Sequence, residues 1–209
     1  MKKLASLLAA ALLCCLASSP LKAEEGEVFG GWEFLELSHS FSGTGLSATA
    51  YAEFDNVPFN SFDCWYMRLS LGYKLLPWLK VGVNYVPVRN PGYWQNYAEV
   101  DLVGSLKSGV LGVSLRERYR HGWDPEGGAG SNELRSRLKV DFRIPDSAFT
   151  PYAAAEVFTW GTTWKKTRHY LGCTYDFSSS VQMEAYYLYY VFKNSPAQHI
   201  LGLGLNFSF

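Results

Sequence analysis

The chain closes on the stretch His199-Ile-Leu-Gly-Leu-Gly-Leu-Asn-Phe-Ser-Phe209, in which every second residue from Leu201 onward is large and apolar. The positions between them hold small or polar residues, namely Gly202, Gly204, Asn206 and Ser208. A period of two is typical of a β-strand, because successive side chains point to opposite faces. The stretch therefore predicts a strand with one apolar face and one polar face.

This strand runs to the last residue of the chain, whereas the ends of soluble domains are usually frayed and polar. Aromatic residues at the last position and two before it resemble the signal by which outer-membrane β-barrels are recognised for insertion. We therefore predict an assembly signal made of Leu201, Leu203, Leu205, Phe207 and Phe209. The expected partners are the barrel assembly machinery and the lipids of a Gram-negative outer membrane, including lipopolysaccharide.

The other end of the chain predicts a secretory signal peptide over residues 1–23. Lys2 and Lys3 supply the positive start, an apolar core runs over residues 4–16, and Leu21-Lys22-Ala23 is a plausible cleavage site. The apolar core is too short to span a bilayer as a helix. Residues 24–209 then form a single barrel domain.

The four cysteines raise two alternatives, a lipid anchor and a disulfide. Cys14 and Cys15 suggest a lipoprotein, but Leu13 precedes the first of them where lipid attachment requires a small residue. The strand registers place Cys64 on the inner face and Cys173 on the outer face, so we expect no bridge between them. Neither cysteine has the spacing of a metal site.

Composition narrows the class of protein. A formal net charge of +0 argues against a nucleic-acid partner and against recruitment to an anionic surface. No segment after residue 23 approaches the roughly 18 apolar residues of a transmembrane helix. The chain holds 14 Tyr, 13 Phe and 7 Trp, and such rings suit the two boundary girdles of a membrane barrel.

The period-two pattern recurs along the whole chain, with apolar residues on one face and polar residues on the other. Segments of this length match tilted bilayer crossings and predict an all-β, transmembrane, antiparallel up-and-down β-barrel of about 10–12 strands. A soluble sandwich or a lipocalin-like barrel is the alternative. The candidate strands number eleven and lie near residues 29–41, 46–54, 62–75, 78–88, 95–107, 109–121, 132–145, 149–160, 166–177, 181–193 and 198–209.

An odd count conflicts with the even strand number of bacterial single-chain barrels, whose two chain ends are both periplasmic. The first segment is the weakest, because Glu33 and Glu36 fall on opposite faces. Either it is an extension, which gives ten strands, or it is split, which gives twelve. We expect short turns and both chain ends at the periplasm and longer links outside, the longest being the solvated loop 122–131.

The inward faces of neighbouring strands carry complementary charges. Charges in a narrow lumen must pair, because removing an ion from water costs several kcal/mol. One interpretation is a salt-bridged filling that holds the wall in shape, and the other is a basic strip that attracts a small anionic solute or lipid phosphates. The predicted lumen network comprises Glu99, Asp101, Arg116, Arg118, Arg120, Arg135, Arg137, Lys139, Arg143, Glu156, Arg168, Asp176 and Glu184.

Two further features of the strand faces are an acid on an outward face and glycines on the inward face of the last strand. Glu117 falls on the outward face between Leu115 and Tyr119. The inward positions of the last strand carry little bulk, since Gly202 and Gly204 are among them. We therefore expect this strand to border the roomiest sector of the lumen.

Enzyme chemistry has no local signature. No His-x-Ser pair exists, and Ser38 and Ser40 should point away from His39 in a strand. Proteolysis at the rim through His121 and Asp124 is the remaining alternative, beside lipid modification by residues on different strands. We predict no catalytic residue, no cofactor and no metal, and the oligomeric state is open.

Several pieces together resemble an uncharacterised family of outer-membrane proteins, common in Bacteroidetes and defined only as a domain of unknown function. The first forty residues after the signal peptide match least. The resemblance implies an outer-membrane barrel and no known activity. The matching pieces are Leu71-Gly-Tyr-Lys-Leu-Leu-Pro-Trp-Leu-Lys-Val-Gly-Val-Asn-Tyr85, Ser114-Leu-Arg-Glu-Arg-Tyr-Arg120, Leu134-Arg-Ser-Arg-Leu-Lys-Val140, Thr150-Pro-Tyr-Ala-Ala-Ala-Glu-Val-Phe158 and His199-Ile-Leu-Gly-Leu-Gly204.

Overall fold

A computed structural model describes residues 26–123 and 130–209, and this part of the chain is all-β. No helix in it is long and apolar enough to cross a membrane. The eleven predicted segments are confirmed, each boundary within three residues. The strands are β1 Val28–Ser40, β2 Leu46–Asn56, β3 Cys64–Leu76, β4 Leu79–Asn90, β5 Tyr93–Ser108, β6 Leu111–Trp123, β7 Ser131–Phe142, β8 Phe149–Trp160, β9 Thr163–Asp176, β10 Val181–Phe192 and β11 Gln198–Ser208.

The strands form one closed barrel in which each pairs with its neighbours in sequence. All of these pairs are antiparallel except the closing one, in which β1 runs parallel to β11 from Val28 beside Gln198 to Ser38 beside Ser208. A closed barrel is thus confirmed, whereas the expectation of ten or twelve strands from an even count is wrong. A parallel closing pair lets an odd number of strands close the sheet.

The first segment is a complete wall strand because both of its acids have partners on their own faces. The inward Glu36 lies 3.9 Å from the guanidinium of Arg68. The outward Glu33 accepts a hydrogen bond of 3.1 Å from the amide of Asn56. The presence of Glu33 and Glu36 on opposite faces is therefore compatible with one continuous wall strand, because each acid has a polar partner.

The described chain enters β1 at one end of the barrel and leaves β11 at the other, so the expectation that both ends of the barrel domain share one side is wrong. We call the end where β1 begins the N-terminal end, and the end where β11 finishes the C-terminal end. Link lengths also differ from expectation. The links 91–92 and 161–162 at the N-terminal end have two residues each, while 143–148 at the C-terminal end is longer. Of the predicted loop 122–131, residues 124–129 lie outside the described residues.

The outer and inner faces of the wall divide as the alternation predicts. Outward residues in mid-strand are apolar and exposed, for example Leu71 at 61% and Leu201 at 59%. Charged residues such as Glu99 and Arg118 point inward and are buried. A soluble barrel has the reverse arrangement, because its apolar core lies inside and its charges face water.

The glycines of β11 do not border open space. A methyl group at Gly202 would overlap the ring of Tyr186, and one at Gly204 would overlap the ring of Phe34. The prediction that β11 lines the roomiest sector is therefore wrong at these two positions. Large rings from β1 and β10 occupy the room that the missing side chains leave.

Candidate functional site: the charged lumen

The first group of lumen charges, the Glu99 cluster, joins β5 to β6. Glu99 is 2% exposed and pairs with Arg118 at 3.0 Å, while Arg120 donates from Nε at 2.6 Å. Asp101 accepts two bonds from Arg118, at 2.6 Å and 2.7 Å, and a third from Asn84 at 3.1 Å. Their register explains the pairing, since Glu99 lies beside Arg120 and Asp101 beside Arg118 across the two strands.

The second group, the Glu156 cluster, gathers three arginines around one carboxylate of β8. Glu156 is 1% exposed, and its Oε1 lies 2.7 Å from Arg116 and 3.1 Å from Arg135. Its Oε2 lies 3.9 Å from Arg168 and 3.4 Å from the hydroxyl of Tyr170. A buried carboxylate with this many donors is an ionised group held by its partners, because burial of an unpaired charge is costly.

An aromatic plug, which we define as Trp32, Phe158, Tyr190 and Phe192, packs against these clusters in the half of the lumen toward the N-terminal end. The guanidinium of Arg168 lies 4.7 Å from the ring of Trp32, 5.0 Å from Phe158 and 4.4 Å from Tyr190. The rings contact the flat faces of the Arg168 guanidinium, while its N–H groups remain available to the carboxylate of Glu156. This half of the lumen is filled by ion pairs and rings.

Toward the C-terminal end the lumen opens into a cavity of about 290 Å³, which we call the basic chamber. Its charged lining consists of two carboxylates, Glu36 and Asp101, and six cations. Both carboxylates already pair with lining arginines. The six cations are Arg68, Lys80, Arg116, Arg118, Arg137 and Lys139.

A second cavity of about 420 Å³ lies at the centre of the lumen and shares Glu36, Arg68, Arg116 and Arg137 with the basic chamber. Its wall holds four carboxylates and five arginines, so its charges are close to balanced, and tyrosine hydroxyls pair with carboxylates there. Two of these pairs are hydrogen-bonded. They are Tyr152 with Glu184 and Tyr51 with Glu53.

Most of the residues predicted for the lumen network point into the barrel, but not all of them do. Arg143 lies beyond the end of β7 and is exposed, because the strand stops at Phe142. Asp176 ends β9, is exposed, and accepts a 2.6 Å bond from Gln182. Glu184 points inward as predicted but is held by a tyrosine. Arg137 and Lys139 stack on Tyr170 and Tyr152, at 4.7 Å and 3.9 Å from the ring centroids.

Several inward charged residues on β1, β2 and β3 were not predicted as members of the lumen network. Glu53 and Asp55 are buried on the inner face of β2. Their signal was the same alternation that revealed the other strands, with Glu53, Asp55 and Arg68 all at inward positions. Applying the same alternation to β2 and β3 would have found them.

One small group at the N-terminal end contains a cysteine. Carboxylate oxygens of Asp55 and Asp63 and the Sγ of Cys64, atoms of the kind that bind metal ions, lie within 4.8 Å of one another. The Cys64 thiol donates to Asp55 at 3.3 Å, and partial burial raises the pKa of Asp63 above its ordinary value. Both Cys64 and Cys173 are free, as expected. Spacing along the chain gave no sign of this group, because Asp55 joins it across the β2–β3 link.

His39 and His121 contact neighbouring side chains. Ser38 bonds to the carbonyl of Phe207 at 3.2 Å, while His39 on the other face packs edge-on against Phe41. His121 meets the side chain of Asn132 at 2.8 Å, and Asp124 lies outside the described residues.

His199 bridges two groups on the outer face. It bonds to the hydroxyl of Tyr187, and its Nε2 lies 3.0 Å from the Glu27 carboxylate. Glu117 also faces outward, as the register predicts, and accepts a 2.6 Å bond from Ser136. Both contacts tie neighbouring strands together.

Fold and lumen together define a closed β-barrel with an ion-paired interior and an apolar exterior. The chain belongs to the family described as "Protein of unknown function (DUF2490)", whose sequence model matches residues 29–200. This confirms the resemblance to an uncharacterised family. No curated protein matches the chain.

Proposed function

We propose that the protein is an integral outer-membrane β-barrel of a Gram-negative bacterium and that it acts without catalysing a reaction. The observation that carries the proposal is the belt of exposed apolar residues on the outer wall, including Leu69, Val83, Leu102, Leu115 and Leu203. Soluble proteins rarely expose apolar patches beyond a few hundred Å². Lipid is the environment that such a belt fits.

The dimensions of the wall agree with a bilayer. The strands have 11 to 16 residues, and a tilted strand needs about 9–11 to cross the hydrocarbon core. The predicted signal peptide and the aromatic C-terminal strand support the outer membrane, with the C-terminal end toward the periplasm. The N-terminal end then faces outward.

The lumen supports a role in envelope structure together with binding of small anionic solutes. The aromatic plug and the two carboxylate clusters fill the outer half, so free diffusion of solutes through the barrel is not expected. The basic chamber lies in the periplasmic half and is accessible at its rim, where Lys80 is exposed. We propose that solutes enter and leave on this side.

The test of the proposal begins with expression of the full chain in a Gram-negative host. We expect the protein in the outer-membrane fraction, with faster migration of unheated than of heated samples in detergent gels. Planar bilayers containing the purified barrel should show no steady conductance. A soluble periplasmic product, or migration that heating does not change, contradicts the proposal.

The assembly signal can be tested separately from folding. Phe209 is 72% exposed, so its deletion should leave refolding in detergent intact. In cells, the same deletion should lower the amount of folded barrel in the outer membrane. Phe177→Ala is the matched control, because Phe177 is an exposed ring at the same end, outside the signal.

A further inference from the structure

The basic chamber holds more positive charge than its own carboxylates neutralise. Asp101 is taken by Arg118 and Glu36 by Arg68. Arg116 pairs with Glu156 in the adjoining cavity. Among the residues that the structure describes, Lys80, Arg137 and Lys139 make no ion pair.

Two arginines that line the chamber carry a buried Nε donor without a partner among the described residues. Arg137 lines both cavities, and its Nε is buried without a hydrogen-bond partner, as is that of Arg116. A buried donor without a partner costs stability. Water or a bound anion would satisfy it, and an anion would also offset the charge.

Lys80 and three serines add donors to the chamber from neighbouring strands. The side chain of Lys80 crosses the face of Gly72, where any larger residue would overlap it. Ser47, Ser70 and Ser114 add hydroxyl donors to the same lining. The chamber thus combines a guanidinium fork, two lysine ammonium groups and hydroxyls, which is the donor set that suits phosphate oxygens.

We propose that the basic chamber is a binding site for a small multivalent anion bearing phosphate groups, reached from the C-terminal end. This deepens the proposed function, since it names the class of solute and the residues that hold it. Lys80, Arg137 and Lys139 bind the phosphate oxygens, and the Glu156 cluster closes the inner side. The ligand is either a free phosphate compound or the headgroup of a phospholipid.

The experiment is calorimetric titration of the full folded barrel, in a neutral detergent, with inorganic pyrophosphate. We expect saturable binding that weakens about tenfold in Lys139→Gln and in Lys80→Gln, because each loses one charged hydrogen bond. Arg143→Gln removes an exposed cation at the same end of the barrel and should bind as the parent does. Lys80 lies at the rim and without an ion pair, so its variant should fold even if Lys139→Gln does not.

Absence of binding to heat-modifiable, folded protein overturns the proposal, and so does an equal loss in Arg143→Gln. Dihexanoyl phosphatidylglycerol in a second titration separates the two sources. Competition with pyrophosphate assigns the site to lipid headgroups, and no competition assigns it to free phosphate compounds. A barrel that inserts in the outer membrane but binds nothing refutes this inference alone, whereas binding by a protein outside the membrane refutes the proposed function alone.

Discussion

The two halves of the lumen use the same cationic side chains in different ways. Toward the N-terminal end, Arg135 and Arg168 lie against the buried carboxylate of Glu156 and against aromatic rings. Toward the C-terminal end, Lys80 and Arg137 line a cavity and make no ion pair among the described residues. The placement of a few acids therefore decides whether arginine and lysine fill the lumen or leave a positively charged cavity in it.

The largest effect is expected from Glu156→Gln. This change leaves three buried arginines without their carboxylate, and breaking a buried pair costs about 3–5 kcal/mol. Guanidinium unfolding in detergent, followed by tryptophan fluorescence, measures the loss. Asp176→Asn is the control, because this exposed carboxylate has one amide partner and should change the free energy of unfolding by less than about 1 kcal/mol. Equal effects of the two changes would remove the distinction between buried and exposed acids.

Overfilling the filled half should have the next largest effect. Gly202→Ala forces a methyl group into the ring of Tyr186, and overpacking of this kind costs about 1–3 kcal/mol. Gly104→Ala is the matched control, since a methyl group there meets nothing within 4 Å. Tyr186→Leu added to Gly202→Ala should recover part of the loss. Unfolding curves that coincide for the two alanine variants would contradict the close packing over β11.

Arg168→Lys separates stacking from charge in the aromatic plug. Lysine keeps the positive charge near Glu156 but loses the planar group that lies over three rings, so we expect a loss of about 1–2 kcal/mol. Unfolding midpoints measured in high and low salt test the cause. A deficit that persists in high salt indicates lost stacking, and one that disappears with salt indicates a change in charge pairing instead.

The smallest effect is expected in the other half of the lumen. Lys80→Gln removes an exposed cation without an ion pair, so the free energy of unfolding should change by no more than about 0.5 kcal/mol. The same unfolding assay gives the value. A loss comparable to that of Glu156→Gln would show that this lysine holds the wall together.

Local pattern and long-range packing explain which features could be predicted. Strand positions and inward faces follow from alternation within each segment. The pairing of Arg118 on β6 with Asp101 on the neighbouring β5 was therefore foreseeable. The parallel pair that closes the barrel was not foreseeable, because it depends on β1 meeting β11 across the whole chain. The same holds for Gly202, whose space is taken by a ring from β10, and for Asp55, which meets Cys64 across a link.

The parallel closing pair has a consequence for how the protein can be re-engineered. The start of β1 and the end of β11 are separated by the 13 residues of β1, roughly 43 Å at about 3.3 Å per residue. A short linker cannot join them, so circular permutation needs a connector that runs the length of the wall. A domain fused before β1 and another fused after β11 are held on opposite sides of the barrel, and the odd strand count alone dictates that separation.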